Sequence, residues 1–160
     1  MKKFIIQGIA LTLIIFTSLS IATSKKTNLP FFSQKEKYFT IMINNVKIKV
    51  AVSDTDSKRQ KGLGGKTSLA SDSGMLFIFP KEGRYRFWMK GLSFPLDFIW
   101  LKNNEVLQIN KNVPPPQKGQ NEGDLPIYYP TQDVNMVLEV NGGFSDQNSI
   151  MIGDEIEIIK

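Results

Sequence analysis

Residues 38–50, with the sequence YFTIMINNVKIKV, decide the fold class of this chain. The first six residues are mostly β-branched or aromatic, Asn44-Asn45 tolerates positive φ, and the residues that follow alternate between apolar side chains and lysines. Two such runs joined by a two-residue turn predict a β-hairpin. The alternation points Val46, Ile48 and Val50 towards a core and the intervening lysines towards water.

Strand signals of the same kind recur along the rest of the chain. Short apolar or alternating runs bounded by Gly, Pro or Asn predict strands. These runs lie at residues 75–79, 85–89, 96–101, 105–109, 136–140 and 155–159. A Thr-Asp capping signal before residues 57–61 predicts a short helix ending at Gly62, and one helical turn is predicted after Gly142-Gly143. The sequence therefore predicts an all-β single domain with minor short helices, either a β-sandwich or a partly open barrel of seven to eight short antiparallel strands.

The start of the chain has the pattern of an export signal. Met1-Lys2-Lys3 is basic, Phe4–Phe16 is apolar, and the residues up to Ala22 turn small and polar. This three-part pattern predicts a secretory signal peptide over residues 1–22. A retained N-terminal membrane anchor is the alternative, because the apolar stretch is about as long as a bilayer is thick.

The remainder of the chain divides into a tether and a domain. Residues 23–37 are mainly polar and are predicted to form a flexible tether, and residues 38–160 are predicted to fold as the β-domain. Both alternatives for the first segment place this domain outside the cytoplasm. We expect a periplasmic or secreted protein, or one tethered to the outer face of the inner membrane, with membrane contact only through the N-terminal segment.

Composition excludes several classes of function. The chain contains no His and no Cys, which excludes Ser–His and Cys–His hydrolases, zinc enzymes with His or Cys ligands, and disulfides. No cofactor and no bound metal are predicted. The net charge of +5 is spread over short clusters without a nucleic-acid-binding motif, so we expect a solvated positive surface, no nucleic-acid partner and a monomer.

A series of short blocks occurs in a fixed order along the predicted domain. The blocks are Ala51, Gly62-Leu63, Gly74–Phe79, Phe87–Lys90, Pro95-Leu96-Asp97, Tyr129-Pro130, Val137–Val140, Gly142-Gly143 and Gly153-Asp154. In this order the chain resembles the uncharacterised family known as domain of unknown function 192. The resemblance implies a small β-sandwich and carries no accepted activity. The chain departs from the family's pattern at Gly64-Gly65 and at Gly91-Leu92-Ser93.

The best candidate site is the segment around Trp88 and Lys90. Alternation places Phe87 and Met89 on one face, so that Trp88 and Lys90 share the other, with an aromatic plate beside a cation. Small rings and sugars are often held by such stacking plus a charge-assisted hydrogen bond. The alternative is structural, with Trp88 covering a core edge and Lys90 paired with Asp97.

Two acidic residues interrupt apolar strands. Asp97 is either a recognition acceptor or general base, or a structural group that pairs with Lys90 or Arg86 or accepts backbone hydrogen bonds. Glu139 faces away from its apolar neighbours along the strand and is either an exposed residue of the sheet or a partner for Asp97. Two converging carboxylates would serve acid–base chemistry on a glycoside, or bind Ca²⁺.

The segment 114–130 is long and Pro-rich, and Tyr129 in it is a candidate stacking lid. Taken together, these patterns predict an exported, envelope-associated, non-catalytic module that binds a small molecule, a glycan or an envelope protein. A carboxylate-based enzyme acting on a glycan-like substrate and a structural or assembly accessory protein are the alternatives.

Overall fold

The computed structural model describes residues 36–159. The predicted signal peptide or anchor and almost all of the predicted tether therefore lie outside the described residues. The elements, in chain order, are β1 (Tyr38–Ile43), β2 (Val46–Ser53), α1 (Asp56–Lys61), β3 (Ser73–Gly83), β4 (Leu96–Lys102), β5 (Glu105–Val113), a 3-10 turn (Glu122–Asp124), β6 (Val134–Asn141), α2 (Phe144–Gln147) and β7 (Glu157–Ile159).

The predicted hairpin is confirmed as β1 and β2. Its two-residue turn places Asn44 at φ 47° and Asn45 at φ 63°, both in the left-handed region that asparagine tolerates. The helix predicted after it is confirmed as α1. The Thr55 side chain accepts a hydrogen bond from the backbone N–H of Lys58 at 3.3 Å, which caps the helix, and Gly62 ends it.

All strands of the described part belong to one sheet, in the order β5-β4-β6-β3-β2-β1-β7. The all-β prediction with minor helices is confirmed, and the sheet is open rather than a closed barrel. Its two edges approach at one end, where Glu105 of β5 forms a β-bridge with Glu155, just before β7. Of the two predicted architectures, the partly open barrel fits this single sheet and the β-sandwich does not, because no second sheet forms among the described strands.

Two strand predictions need correction. The pair β2/β3 is parallel rather than antiparallel, since the chain crosses over between these strands through residues 54–72, which include α1. A crossover of this length is what a parallel connection requires. Residues 85–89 do not form a strand of the sheet. They contribute one isolated bridge, between Phe87 and Tyr128.

The central strands β3, β4 and β6 are buried on both faces. One core cluster includes Ile41 of β1, Val106 of β5 and Ile156 before β7, so the sheet curls around it from both edges. The second cluster lies on the other face of β3, β4 and β6, where the residues between strands cover it. Its members include Phe77, Phe98, Trp100 and Val137 of the sheet, together with Leu63, Phe87 and Met89 from the covering segments.

Within residues 36–159, none of the helices has both the length and the apolar character needed to cross a bilayer.

Candidate functional site

The segment after β3 lies across the second face of the sheet and is attached there by backbone hydrogen bonds. The N–H of Phe87 donates to the Tyr128 carbonyl at 2.9 Å, and the reverse bond is 2.8 Å. Phe87 and Met89 are buried in the second core cluster. Trp88 remains 39% exposed, and Lys90 is exposed as well. The expected alternation is therefore present, although the segment is not a strand of the sheet.

A cleft of about 610 Å³ opens beside this segment, and we call it the Trp88 cleft. One wall is the end of α1 with the glycine-rich turn that follows it. The other wall is the segment from Tyr85 to Leu92, and β3 and β6 contribute the floor. The lining includes the side chains of Arg59, Lys61, Phe79, Tyr85, Arg86, Trp88, Lys90 and Glu139.

The two walls touch at the two places where the chain departs from the pattern of the family it resembles. The N–H of Gly65 donates to the carbonyl of Gly91 at 3.0 Å. A Cβ atom on Gly91 would lie 3.6 Å from that same nitrogen, and φ at Gly91 is +71°. A Cβ atom at that distance makes only ordinary van der Waals contact, so the positive φ at Gly91 is what favours glycine there.

Aromatic rings form much of the cleft surface. The rings of Phe79 and Tyr85 are stacked, with centroids 3.5 Å apart and an angle of 9° between planes. Behind them, Phe87 packs edge-on against Phe77 with a centroid distance of 4.9 Å. The guanidinium of Arg86 lies 5.8 Å from the Trp88 ring centroid. This arrangement presents flat apolar surface beside positive charge, which suits stacking of a planar or cyclic ligand.

Four cationic side chains line the cleft: Arg59, Lys61, Arg86 and Lys90. Arg59 is held in place, because it donates to Asp56 and to the carbonyl of Ile78, each at 2.6 Å. Lys90 pairs with Glu122 of the 114–130 segment at 2.7 Å. Among the described residues, Lys61 and Arg86 make no ion pair.

The only acidic side chain in the lining is Glu139 of β6. Its cross-strand neighbours are Met75 on β3 and Phe98 on β4, both in the second core cluster, and the side chain is 4% exposed. Its Oε2 atom has no hydrogen-bond partner within the described part of the chain. Because burial penalises the charged form, the pKa of Glu139 rises to about 8. At neutral pH this carboxyl is mainly protonated and is able to donate a hydrogen bond.

Asp97 lies on the opposite face of the sheet. Its cross-strand partner is Val140, a member of the first core cluster, whereas Glu139 pairs with Phe98 of the second. The Asp97 carboxylate is fully buried and accepts three backbone N–H bonds, from Asn112 at 2.7 Å, Gly143 at 2.9 Å and Ser145 at 2.8 Å. It forms no ion pair with Lys90 or Arg86. Of the roles considered for Asp97, the structural acceptance of backbone hydrogen bonds is the one the geometry supports.

The structure thus brings together three of the five residues singled out from the sequence. Trp88, Lys90 and Glu139 line one cleft, while Asp97 and Tyr129 do not. Tyr129 is half-exposed and directly follows Tyr128, which forms the bridge to Phe87. It is not part of the cleft lining. Neither alternative for Glu139 holds, because the residue is buried rather than exposed and does not converge with Asp97. Within residues 36–159, no group of three or more acidic side chains is placed to hold a metal ion.

The sequence did not predict that α1 forms part of one wall of the cleft and that Tyr85 and Arg86 form part of the other. The available signal was the Gly62–Gly65 turn, since a run of glycines directly after a short helix lets another segment approach closely. The position of Arg59 at the cleft depends on its bond to Ile78 across the crossover, which no local pattern indicates.

The family described as "Uncharacterized ACR", domain of unknown function 192, matches residues 39–158. This chain belongs to that family. The match spans every residue of the Trp88 cleft and all of the sheet except its first and last residues, Tyr38 and Ile159. Since the family description names no activity, the function of this DUF192 domain has to be argued from its site.

Two solved structures share the fold of this DUF192 domain. A protein from Sinorhizobium meliloti 1021, proposed to be a transcription regulator, is 24% identical with a TM-score of 0.68, over 77% of this chain and 95% of that chain. A protein of unknown function from Novosphingobium aromaticivorans DSM 12444 is 26% identical with a TM-score of 0.64, over 76% of this chain and 84% of that chain. No curated protein matches the sequence.

The structural role of Asp97 is testable by Asp97→Asn. The amide retains one oxygen acceptor and turns an N–H₂ group towards backbone donors, so at least one buried N–H loses its partner. We expect the free energy of unfolding to fall by about 3 kcal/mol, measured by urea denaturation. The control is Asp133→Asn, at an exposed position of the loop before β6, which should change stability little. Equal stability of the Asp97→Asn variant and the wild type would contradict this role.

Burial of Glu139 makes stability depend on pH. The folded state keeps the proton up to about pH 8, whereas the unfolded chain releases it near its ordinary value of 4.5. Stability is therefore lost as pH rises through this window, by about 1 kcal/mol per pH unit. Glu139→Gln removes the ionisation, so its unfolding free energy should exceed that of the wild type at pH 8 and match it near pH 4.5. Urea titrations at several pH values measure the difference, with exposed Glu105→Gln as control. A constant difference across this range would refute the raised pKa.

Proposed function

We propose that this protein is an exported, non-catalytic module that binds a small ring-containing ligand in the Trp88 cleft. The observation that carries the proposal is the convergence of an exposed Trp, several cations and a buried, unpartnered carboxyl in one cleft. Separate pieces of the chain build this site. A tryptophan left 39% exposed beside such a cleft, rather than packed into the neighbouring core cluster, favours a ligand contact.

The size of the cleft supports a small-molecule ligand. A volume of about 610 Å³ falls within the range of about 300–1,000 Å³ that small-molecule and cofactor sites occupy. Such sites combine apolar and aromatic walls with a few polar groups that fix the orientation of the ligand. Here the stacked rings of Phe79 and Tyr85 supply the wall, and Lys90 and Glu139 supply polar groups at the mouth and the floor.

Binding without catalysis fits the arrangement of acidic groups. The hypothesis of a glycosidase-like enzyme requires Asp97 and Glu139 to flank one substrate. The two side chains instead lie on opposite faces of the sheet. A single protonated carboxyl donates a hydrogen bond, but no second carboxyl lines the cleft among the described residues to complete a glycosidase-type pair. Because the chain has no His and no Cys, the cleft offers neither of the nucleophile–base pairs that use these residues.

Export rests on the sequence of the first 22 residues. A basic start, an apolar run and a small, polar end at Ala22 form the pattern of a secretory signal. The lack of Cys suits an oxidising compartment, because no thiol is present to be oxidised. We propose that the β-domain works in the cell envelope, either released after cleavage or tethered to the outer face of the inner membrane.

Ligand binding is tested with a thermal-shift screen of glycans and small metabolites on three proteins. The wild type should show at least one stabilising compound, and Trp88→Ala should lose that shift because the stacking surface is removed. Tyr38→Ala removes another exposed aromatic ring, on β1 outside the cleft, and should retain the shift. A shift that persists in Trp88→Ala, or no shift with any compound, would reject the proposal and favour an assembly accessory without a small-molecule pocket.

Localisation is tested by expressing the full chain with a C-terminal tag and fractionating the cells. We expect either a product beginning at Thr23 in the extracytoplasmic fraction, identified by intact mass, or a full-length product in the membrane fraction. Lys2→Glu with Lys3→Glu should reduce export, because the basic start orients the segment during insertion. A full-length product in the cytosol of wild-type cells would contradict export.

A further inference from the structure

The charges of the Trp88 cleft are unbalanced. Four cations line it, and the one acidic side chain in the lining, Glu139, is kept largely neutral by burial. Acidic residues from outside the lining act on three of these cations, since Asp56 pairs with Arg59, Glu122 pairs with Lys90, and Glu36 lies within electrostatic reach of Lys61. Positive potential therefore remains at the cleft around Arg86, next to aromatic surface.

The ion pair between Lys90 and Glu122 is one in which a negative group of a ligand is able to take the place of the Glu122 carboxylate. Both side chains are well exposed, at 50% and 70%, and Glu122 belongs to a short 3-10 turn within the long loop. Exposed ion pairs contribute little to stability, so a negative group on a ligand is able to replace the Glu122 carboxylate on Lys90 at low cost. Arg59 differs, since its additional bond to the Ile78 carbonyl holds it in position.

The floor of the cleft adds a second recognition point. The Oε2 atom of Glu139 has no partner within residues 36–159, although buried polar atoms are nearly always hydrogen-bonded. A protonated carboxyl offers one O–H donor, which an acceptor on a bound ligand would satisfy. An ionised carboxylate at the same place would instead repel a negative ligand.

We propose that the ligand of the Trp88 cleft is a small anionic ring compound, a carboxylate or sulfonate whose negative group replaces Glu122 on Lys90 while its ring stacks on Trp88. This inference rests on the proposed binding function and names the chemical class of its ligand. The ring contacts the aromatic wall, and Arg86 supports the negative group from the neighbouring position. An acceptor atom of the ligand accepts a hydrogen bond from the protonated carboxyl of Glu139.

Two fluorescent probes that differ by one group test the charge requirement. 8-Anilinonaphthalene-1-sulfonate carries a sulfonate, and N-phenyl-1-naphthylamine is the same ring system without it. We expect the wild type at pH 7 to bind the sulfonate at least about ten-fold more tightly than the neutral probe, by fluorescence titration. Trp88→Ala should lose binding of the sulfonate probe.

Replacement at Lys90 is tested by two exposed substitutions with opposite expected effects. Glu122→Gln frees the lysine and should raise affinity for the sulfonate probe by about two- to five-fold, the scale of an exposed ion pair. Lys90→Gln should lower that affinity by a similar factor. The control is Glu82→Gln, which breaks the comparably exposed Glu82–Lys102 pair outside the cleft and should leave affinity unchanged.

The floor contact is tested by the pH dependence of binding between pH 6.5 and 9. Wild-type affinity for the sulfonate probe should fall as pH rises through about 8, where Glu139 ionises, and Glu139→Gln should show a flatter profile. The other titratable or charged groups that line the cleft are Arg59, Lys61, Tyr85, Arg86 and Lys90, and they are present in both proteins. The β3 and β4 neighbours of Glu139 are the apolar Met75 and Phe98.

The outcomes separate this inference from the proposed function. Equal or tighter binding of the neutral probe, lost in Trp88→Ala, would overturn the anionic ligand class and leave a Trp88-dependent binding site in place. An unchanged or lowered sulfonate affinity in Glu122→Gln would overturn the exchange at Lys90. Absence of binding by both probes would overturn the inference, and the thermal-shift screen would then decide the proposed function by itself.

Discussion

Burial of both faces of β3, β4 and β6 is the constraint on which the rest of the structure depends. Curling of the sheet covers the first face, because residues from both edges join one core cluster. The second face is covered by the segments between strands, which insert Leu63, Phe87 and Met89 over the aromatic residues of the sheet. The Trp88 cleft is the space between the two covering segments, and its walls and floor follow from the way the second face is closed.

Elements with a local signal could be predicted from the sequence. The β1–β2 hairpin follows from its Asn44-Asn45 turn, and α1 from its Thr55 cap. Residues 85–89 have the alternation of a strand for a different reason, since Phe87 and Met89 insert into the second core cluster while their segment pairs with no strand of the sheet. Alternation indicates which side chains are buried, but it does not identify the surface that buries them.

The residues of the candidate site were likewise predictable only where a local sequence pattern determines their exposure. The exposure of Trp88 and Lys90 opposite their buried neighbours could be predicted, because alternation within one short segment determines it. The burial of Glu139 could not, because its side of the sheet is covered by residues distant in sequence. The partners of Asp97 could not be predicted either, since Asn112 lies near the end of β5 and Ser145 in α2, and only the folded sheet brings them together.

The two buried acids of the described sheet, Asp97 and Glu139, differ in how their polar atoms are satisfied. Asp97 has three backbone donors, so its charge is compensated and it joins β4 to the end of β5 and to the start of α2. Glu139 has apolar neighbours and an unpartnered oxygen, and burial raises its pKa to about 8. An uncharged side chain of the same size would cost the fold less at neutral pH. The cost of this group to the fold, and its place in a cleft lined by cations, therefore support the proposed ligand-binding function.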